Sequence, residues 1–216
     1  MLPPTWDAPI PLELIAGELP DDPAIVEAGA HIGRDTVRLA HAWPLGHVHA
    51  FEPVPDIYAQ LRRNVSRLRN VTTYPFAVGA ASGTAVLHVS SGASDGSSSL
   101  LSPAAHLDVH PDVTFADDIE VATVTLDGWA EANGIERVDF LWLDMQGAEL
   151  SALQAAPRML EGVRAIQTEV SLLETYAGVT LYGRYREWLE QQGFVVVYES
   201  LEWEDMGDVL FVRSRA

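Results

Sequence analysis

With 216 residues, 48% of them hydrophobic, the chain suits one α/β domain with a substantial buried core rather than two independent domains. Its 13 Lys and Arg stand against 31 Asp and Glu, a formal charge of -18 that would repel a phosphate backbone or an anionic membrane, so neither nucleic acid nor membrane is an expected partner. No cysteine is present, which excludes disulfides, a thiol nucleophile and Cys-based metal sites, and the lack of a signal-like start or a membrane-length apolar run makes a soluble cytoplasmic protein the expectation.

Residues 1–23 carry Pro3, Pro4, Pro9, Pro11, Pro20 and Pro23, too many for a long helix. They read as an irregular lead-in with one short turn over Leu12 to Ala16, placed to cover a ligand cleft, ahead of a single domain over 24–216. The apolar run from Ala24 then ends on Glu27 and gives way to a glycine-bearing turn, A-G-A-H-I-G at 28–33. Such a turn between a buried strand and a helix can bring backbone N–H groups against a nucleotide-like ligand. The hydride-cofactor spacing G-x-G-x-x-G needs glycines at 28, 30 and 33 and finds Ala28, Ala30 and Gly33. An acid-x-Gly-x-Gly-x-Gly spacing fits better, meeting Glu27, Gly29 and Gly33 and departing at His31.

A short helix marked by Val37, Ala40 and Trp43 stops before Pro44, and His47 to Phe51 reads as a second strand. It leads to Glu52, 25 positions after Glu27, where α/β nucleotide folds place the carboxylate that accepts ribose hydroxyls. Pro55 starts the next helix, with Ile57, Leu61, Val65 and Leu68 on one face, and Val71 to Val78 reads as a third strand. Strand, helix, strand, helix, strand predicts a parallel sheet with right-handed crossovers. From about 80 to 126 the alternation breaks into an insertion: a β-rich piece at Ala85 to Val89, a Ser/Gly-rich loop at 90–102, irregular spacing to Asp118, and a strand over Ile119 to Leu126. A short helix follows, closed by Asn133-Gly134.

Val138 to Asp144 returns to the core sheet, followed by a helix over Gly147 to Leu160 interrupted at Pro157 and a strand over Val163 to Val170. Leu181, Tyr185, Trp188 and Leu189 share a helix face that Gly193 ends, and Phe194 to Tyr198 with Val209 to Val212 form a closing hairpin, for seven core strands. Asp144, Gln146 and Glu149 fall at the same sheet edge as Gly29 and Glu52, with Glu169 a third candidate acid there. Group transfer to a hydroxyl oxygen needs an aligned acceptor and a group to take its proton, work suited to Asp144 or Glu149, although both also fit ordinary helix-start chemistry. A six-oxygen shell for a divalent ion is not visible, so no metal is expected. His106 and His110 in the insertion could titrate near neutrality, and surface residues are the plainer reading.

E-A-G-A-H-I-G at 27–33, F-E-P at 51–53, A-V-G at 77–79 and L-D-M-Q-G-A-E-L at 143–150 together resemble the FkbM-type S-adenosylmethionine-dependent methyltransferases. T-L-D at 125–127 and Q-T-E-V at 167–170 extend the resemblance over nearly all of the chain after the proline-rich start. It implies a class I methyltransferase fold, a Rossmann-like three-layer α/β sandwich whose seven-stranded, mostly parallel sheet ends on an antiparallel strand. It also implies S-adenosyl-L-methionine as cofactor and a hydroxyl of a small molecule, a natural product or sugar, as acceptor. By that resemblance Glu27, Gly29, Ala30 and Gly33 line the methionine end of the cofactor, Glu52 holds the ribose and Ala77 lies by the adenine. His31, Pro53, Val78 and Asp144 complete the expected cofactor set, and Asp144, Glu149 and Glu169 the expected catalytic set. His31 stands where the family often has Asn, and Gln146 where it often has an acid, which leaves one carboxylate missing from the neighbourhood. A non-catalytic cofactor-binding partner of another transferase and a nicotinamide-dependent oxidoreductase remain as alternatives.

Overall fold

Side chains alternating with period two decide the architecture. The computed structural model describes residues 10–214. The first part of the chain forms α1 (Leu12–Ala16), β1 (Ala24–Ala28), α2 (Arg34–Ala42), β2 (His47–Phe51), α3 (Pro55–Val65) and β3 (Val71–Tyr74). The insertion contributes β4 (Ala77–Val78), β5 (Gly83–Gly92), α4 (His106–Val109) and β6 (Val113–Val124). After it come α5 (Leu126–Asn133), β7 (Phe140–Leu143), α6 (Glu149–Gln154), α7 (Pro157–Gly162) and β8 (Ala165–Ser171). The chain closes with α8 (Tyr182–Gln191), β9 (Phe194–Ser200) and β10 (Met206–Arg213).

Seven strands form one sheet in the order β3-β2-β1-β7-β8-β10-β9, with β10 antiparallel to both β8 and β9 and the other pairs parallel. Ile25, Phe140 and Trp142 point to one face, where Ile10, Ile15, Leu39 and Trp43 pack on them. Val26, Ala28, Leu141 and Leu143 point to the other, under Leu126 and Trp129 of α5, Leu153 of α6, Leu160 of α7 and Leu189 of α8. Both faces are covered, so β1 and β7 are apolar almost throughout, as buried parallel strands must be. The expected class I architecture, with its antiparallel last strand, is the observed one.

Three boundaries differ from the sequence reading. The apolar run at 71–78 is two strands, because Pro75 has no N–H for the ladder: β3 joins the large sheet and β4 a separate three-stranded sheet in the order β4-β6-β5. The stretch before Ile119 is not irregular; β6 begins at Val113, with Asp117 and Asp118 on a half-exposed ribbon paired with Val89 and His88. Pro157 begins α7 at its first turn rather than interrupting one helix, since its missing N–H costs nothing there. In the lead-in, Ile10 and Ile15 are fully buried against the sheet and none of residues 10–23 lines the ligand cleft; Pro3, Pro4 and Pro9 lie outside the described residues. No helix among the described residues is long and apolar enough to cross a membrane.

Strand order reverses between β1 and β7, and the crevice beyond their carboxyl ends is where open α/β sheets bind ligands. A cavity of about 520 Å³ lies there.

Candidate active site

Glu27 is the last acid of β1, paired in register with Ala50 and Trp142, and only 2% exposed. Its Oε2 has no hydrogen-bond partner among the described residues, and burial holds its pKa well above the usual carboxylate range. Burying an ionisable carboxylate with one oxygen unmet is costly, so the site suits a cation that this oxygen can meet. After Glu27 the chain turns sharply. Gly29 adopts φ 88° and His31 φ 48°, which bring the turn onto the β7–α6 segment.

The turn's N–H groups point into the protein, contrary to the expectation that they face a ligand. Those of Gly29 and Ala30 both donate to the Phe51 carbonyl, at 3.1 and 2.9 Å, that of Gly33 to Ala30, and that of His31 to Glu52 Oε2 at 3.0 Å. A phosphate would therefore find few free donors at this turn, whereas carboxylate oxygens line it. Glu27, Gly29, Ala30 and His31 all face the cavity. Gly33 does not: it sits behind, at φ 85°, packed against Leu61 and Val65 at the start of α2.

Glu52 stands at the end of β2, 5% exposed. Its Oε1 accepts the Val54 N–H at 2.8 Å while Oε2 accepts that of His31. Each oxygen keeps a second lone pair, so the carboxylate is fixed in place and can still receive two hydroxyls. Burial nevertheless dominates and pushes its pKa up to about 7. Beside it Pro53, Val54, Ile57, Phe76, Ala77, Val78, Leu87 and Leu100 make an apolar wall, four of them from the insertion and one from the β3–β4 connection.

The β7–α6 turn supplies the second group of acids. Asp144 continues the sheet through its N–H, which donates to Ala28 O at 2.9 Å, and its carboxylate opens into the cavity. Gln146, at φ 54°, donates from one Nε2 to Asp144 Oδ1 at 2.8 Å and to Glu169 Oε2 at 3.0 Å. The carboxylate expected to be missing at position 146 is thus replaced by an amide that joins two others. Burial raises the pKa of Asp144, and burial followed by the neighbouring charge of Asp144 raises that of Glu169 well above its ordinary range. Glu149 behaves differently. It is 5% exposed and does not line the main cavity; its Oε1 accepts the N–H groups of Met145 at 2.6 Å and Gly147 at 3.3 Å, bracing the turn that carries Asp144.

The far wall is the Ser/Gly-rich loop, whose residues 93–98 all face the cavity. It is tethered by His31 Nε2 to Asp95 Oδ1 at 3.0 Å, by Tyr176 O–H to Ser97 O at 2.7 Å and by Ser99 Oγ to Gln146 O at 2.7 Å. His106 and His110 lie away from the cavity. His106 is buried, not on the surface, and His110 pairs with the buried Asp205 at 2.8 Å.

The family model for the methyltransferase FkbM domain matches residues 27–196. The chain belongs to the FkbM methyltransferase family. Among its FkbM-like relatives is the 2-O-methyltransferase NoeI of Sinorhizobium fredii, 33% identical over 73% of this chain and 67% of that protein. Methyltransferase sdnD of Sordaria araneosa is 26% identical over 86% of this chain and 78% of its own length. Solved structures share the fold at lower identity. Fibrillarin of Aeropyrum pernix, solved with natively bound S-adenosyl-L-methionine, superposes with a TM-score of 0.53 at 15% identity, covering 92% of this chain and 72% of that one. A precorrin-6y C5,15-methyltransferase of Geobacter metallireducens gives 0.51 at 14%, covering 97% and 93%.

In this FkbM domain the structure brings together Glu27, Gly29, Ala30, His31, Glu52, Pro53, Ala77, Val78, Asp144 and Glu169 around one cavity, and sets Gly33 and Glu149 behind it. Sequence reasoning missed Phe76, Leu87, Trp142 and Met206, which line the cavity, and Tyr176, which reaches it through Gln146. Phe76 directly precedes the A-V-G stretch and carried a signal. The others have none without the three-dimensional contacts.

Proposed function

We propose that the chain is an O-methyltransferase that moves the methyl group of S-adenosyl-L-methionine to a hydroxyl of a small molecule, a natural product or sugar. One observation carries the reading: the β1–α2 turn spends the N–H groups of Gly29, Ala30, His31 and Gly33 on protein acceptors and presents to the cavity the buried carboxylate of Glu27, whose Oε2 has no hydrogen-bond partner. That arrangement fits a ligand with an ammonium and a sulfonium, and does not fit the pyrophosphate of a nicotinamide dinucleotide. S-adenosyl-L-methionine supplies the activated methyl group. Glu27 and Gly29 would hold its amino-acid end, Glu52 its ribose hydroxyls, and the wall of Ile57, Phe76, Ala77 and Leu87 its base.

Asp144 and Glu169 then receive the acceptor's hydroxyl and its proton. Desolvation raises both pKa values and so strengthens both groups as bases, and positioning supplies the rest. Oxygen as the methylated atom is supported by NoeI, a 2-O-methyltransferase by name. A small acceptor rather than nucleic acid is supported by the charge of -18 and the acids around the cavity.

The test is calorimetric titration with S-adenosylhomocysteine beside a Glu52→Ala variant and a NAD control. Micromolar binding that weakens by about tenfold or more in the variant, with no NAD signal, is the expected result. A folded wild-type protein that does not bind S-adenosylhomocysteine overturns the reading. A screen of sugars and hydroxylated small molecules, with methyl transfer followed by mass, then identifies the acceptor.

A further inference from the structure

Asp144 and Glu169 are two carboxylates on neighbouring strand ends, with one amide between them and the charge of Asp144 helping to raise the pKa of Glu169. Like charges this close favour protonation of one member, which removes it as a proton acceptor. The planar amide of Gln146 opposes that outcome, because its two N–H bonds diverge and give each carboxylate its own donor. An acid at position 146 could not do this.

The amide serves only in one orientation. Flipped, it would set its carbonyl oxygen against both carboxylates. Its other end meets Tyr176, whose single O–H proton is shared between Ser97 O at 2.7 Å and Gln146 Oε1 at 3.1 Å. Tyr176 is 2% exposed and lies outside the cavity lining. Its backbone is stitched to the base of the Ser/Gly loop, by Ala177 N–H to Ser102 O at 2.8 Å and by the bridge between Pro103 and Tyr176. Its phenol ring packs edge-on to Phe115 and beside His106. The hydroxyl therefore has little freedom, and Gln146 is also held through its backbone by Ser99 Oγ.

We propose that Tyr176 is a positioning residue: from behind the cavity it fixes the Gln146 amide so that its two N–H groups hold Asp144 and Glu169 apart and ready to receive a proton. The role of that pair rests on the O-methyltransferase reading; the amide geometry does not.

The test uses the whole chain, labelled with nitrogen-15. The Gln146 side-chain NH2 signals, identified by their loss in Gln146→Glu, are expected downfield and protected from exchange in the wild type. In Tyr176→Phe, which keeps the ring, they are expected to move upfield and to exchange on the order of fivefold to tenfold faster, the factor of one hydrogen bond. Binding of S-adenosylhomocysteine is expected to stay within about threefold of wild type, since Tyr176 does not line the cavity; a larger loss makes its role structural and overturns the proposal. So do unprotected Gln146 signals in the wild type, or signals that are unchanged in Tyr176→Phe. Failure of the wild type to bind S-adenosylhomocysteine strikes the methyltransferase reading instead, and leaves the amide measurement standing.

Discussion

A methyl group on Gly29 would lie 1.7 Å from the carbonyl oxygen of Asp144. The β1–α2 turn and the turn that carries the second group of acids are thus in backbone contact, joined also by the bond from Asp144 N–H to Ala28 O. Gly29 is required twice, once for φ 88° and once for this approach. Gly29→Ala cannot be accommodated by a side-chain shift, because the opposing atom is backbone. The expected result is a loss of more than about 3 kcal/mol, combining strain and displacement. A thermal melt reads it, together with loss of S-adenosylhomocysteine binding. A wild-type melting temperature would show that the two turns are not in contact.

The acids of the β7–α6 turn separate by what their oxygens hold. Asp144 faces the cavity and Glu149 accepts two backbone N–H groups. Asp144→Asn is expected to fold normally and to lower kcat by about 100-fold or more. Glu149→Ala leaves two donors unmet in a buried turn, and is expected to cost about 1–3 kcal/mol of stability. Glu149→Gln, which keeps an acceptor oxygen, should recover most of that loss. Melting curves and turnover measured on the same preparations check both; a stable Glu149→Ala protein without turnover would place Glu149 in the chemistry.

How much of this the chain announces depends on the range of the contact. Glu27, Gly29 and Glu52 were legible because strand, turn and acid follow one another locally, and because period-two burial fixes which strand ends share an edge. The fate of the backbone donors is not legible, since nothing in A-G-A-H-I-G says that Phe51 O already takes two of them. Pro75 does not announce a break between strands, because Tyr74 and Phe76 continue the strand-like run on both sides of it. Asp117 and Asp118 hid the first half of β6, as acids pointing to solvent from an exposed ribbon look like a loop. Tyr176 was invisible, because its hydroxyl joins Ser97 and Gln146, 79 and 30 residues away.

The acid-lined site makes stability depend on pH in an unusual direction. Burial raises Glu52, Glu149 and Asp208 each to about 7, above their ordinary values of 4.5, 4.5 and 3.8. A carboxyl group with a raised folded pKa binds protons more readily in the folded state than in the unfolded state. Its contribution is therefore fully present below the unfolded value and is lost as pH rises from about 4.5 through about 7. The ligand-free protein is expected to melt lower at pH 8 than at pH 5.5, by several degrees for each ~2 kcal/mol lost. Glu52→Gln should reduce the slope. Melting temperatures across that range are the measurement, and a protein more stable at pH 8 would contradict the burial argument.

The loop over the cavity is expected to open without unfolding the domain, because the contact at its tip is weak. His31 and Asp95 meet at 3.0 Å with side chains 36% and 62% exposed. A hydrogen bond so open to water contributes at most about 0.5–1 kcal/mol. Tyr176 and Ser99 tether the rest of the loop from buried positions, so removing the tip contact should loosen the wall and leave the fold intact. Asp95→Ala is thus expected to keep its melting temperature within about 2 °C and to release S-adenosylhomocysteine about twofold to fivefold faster, the factor that corresponds to ~0.4–1 kcal/mol. Stopped-flow dissociation and thermal melts of both proteins check the two parts. Equal dissociation rates would mean that the contact does not hold the loop against the bound ligand.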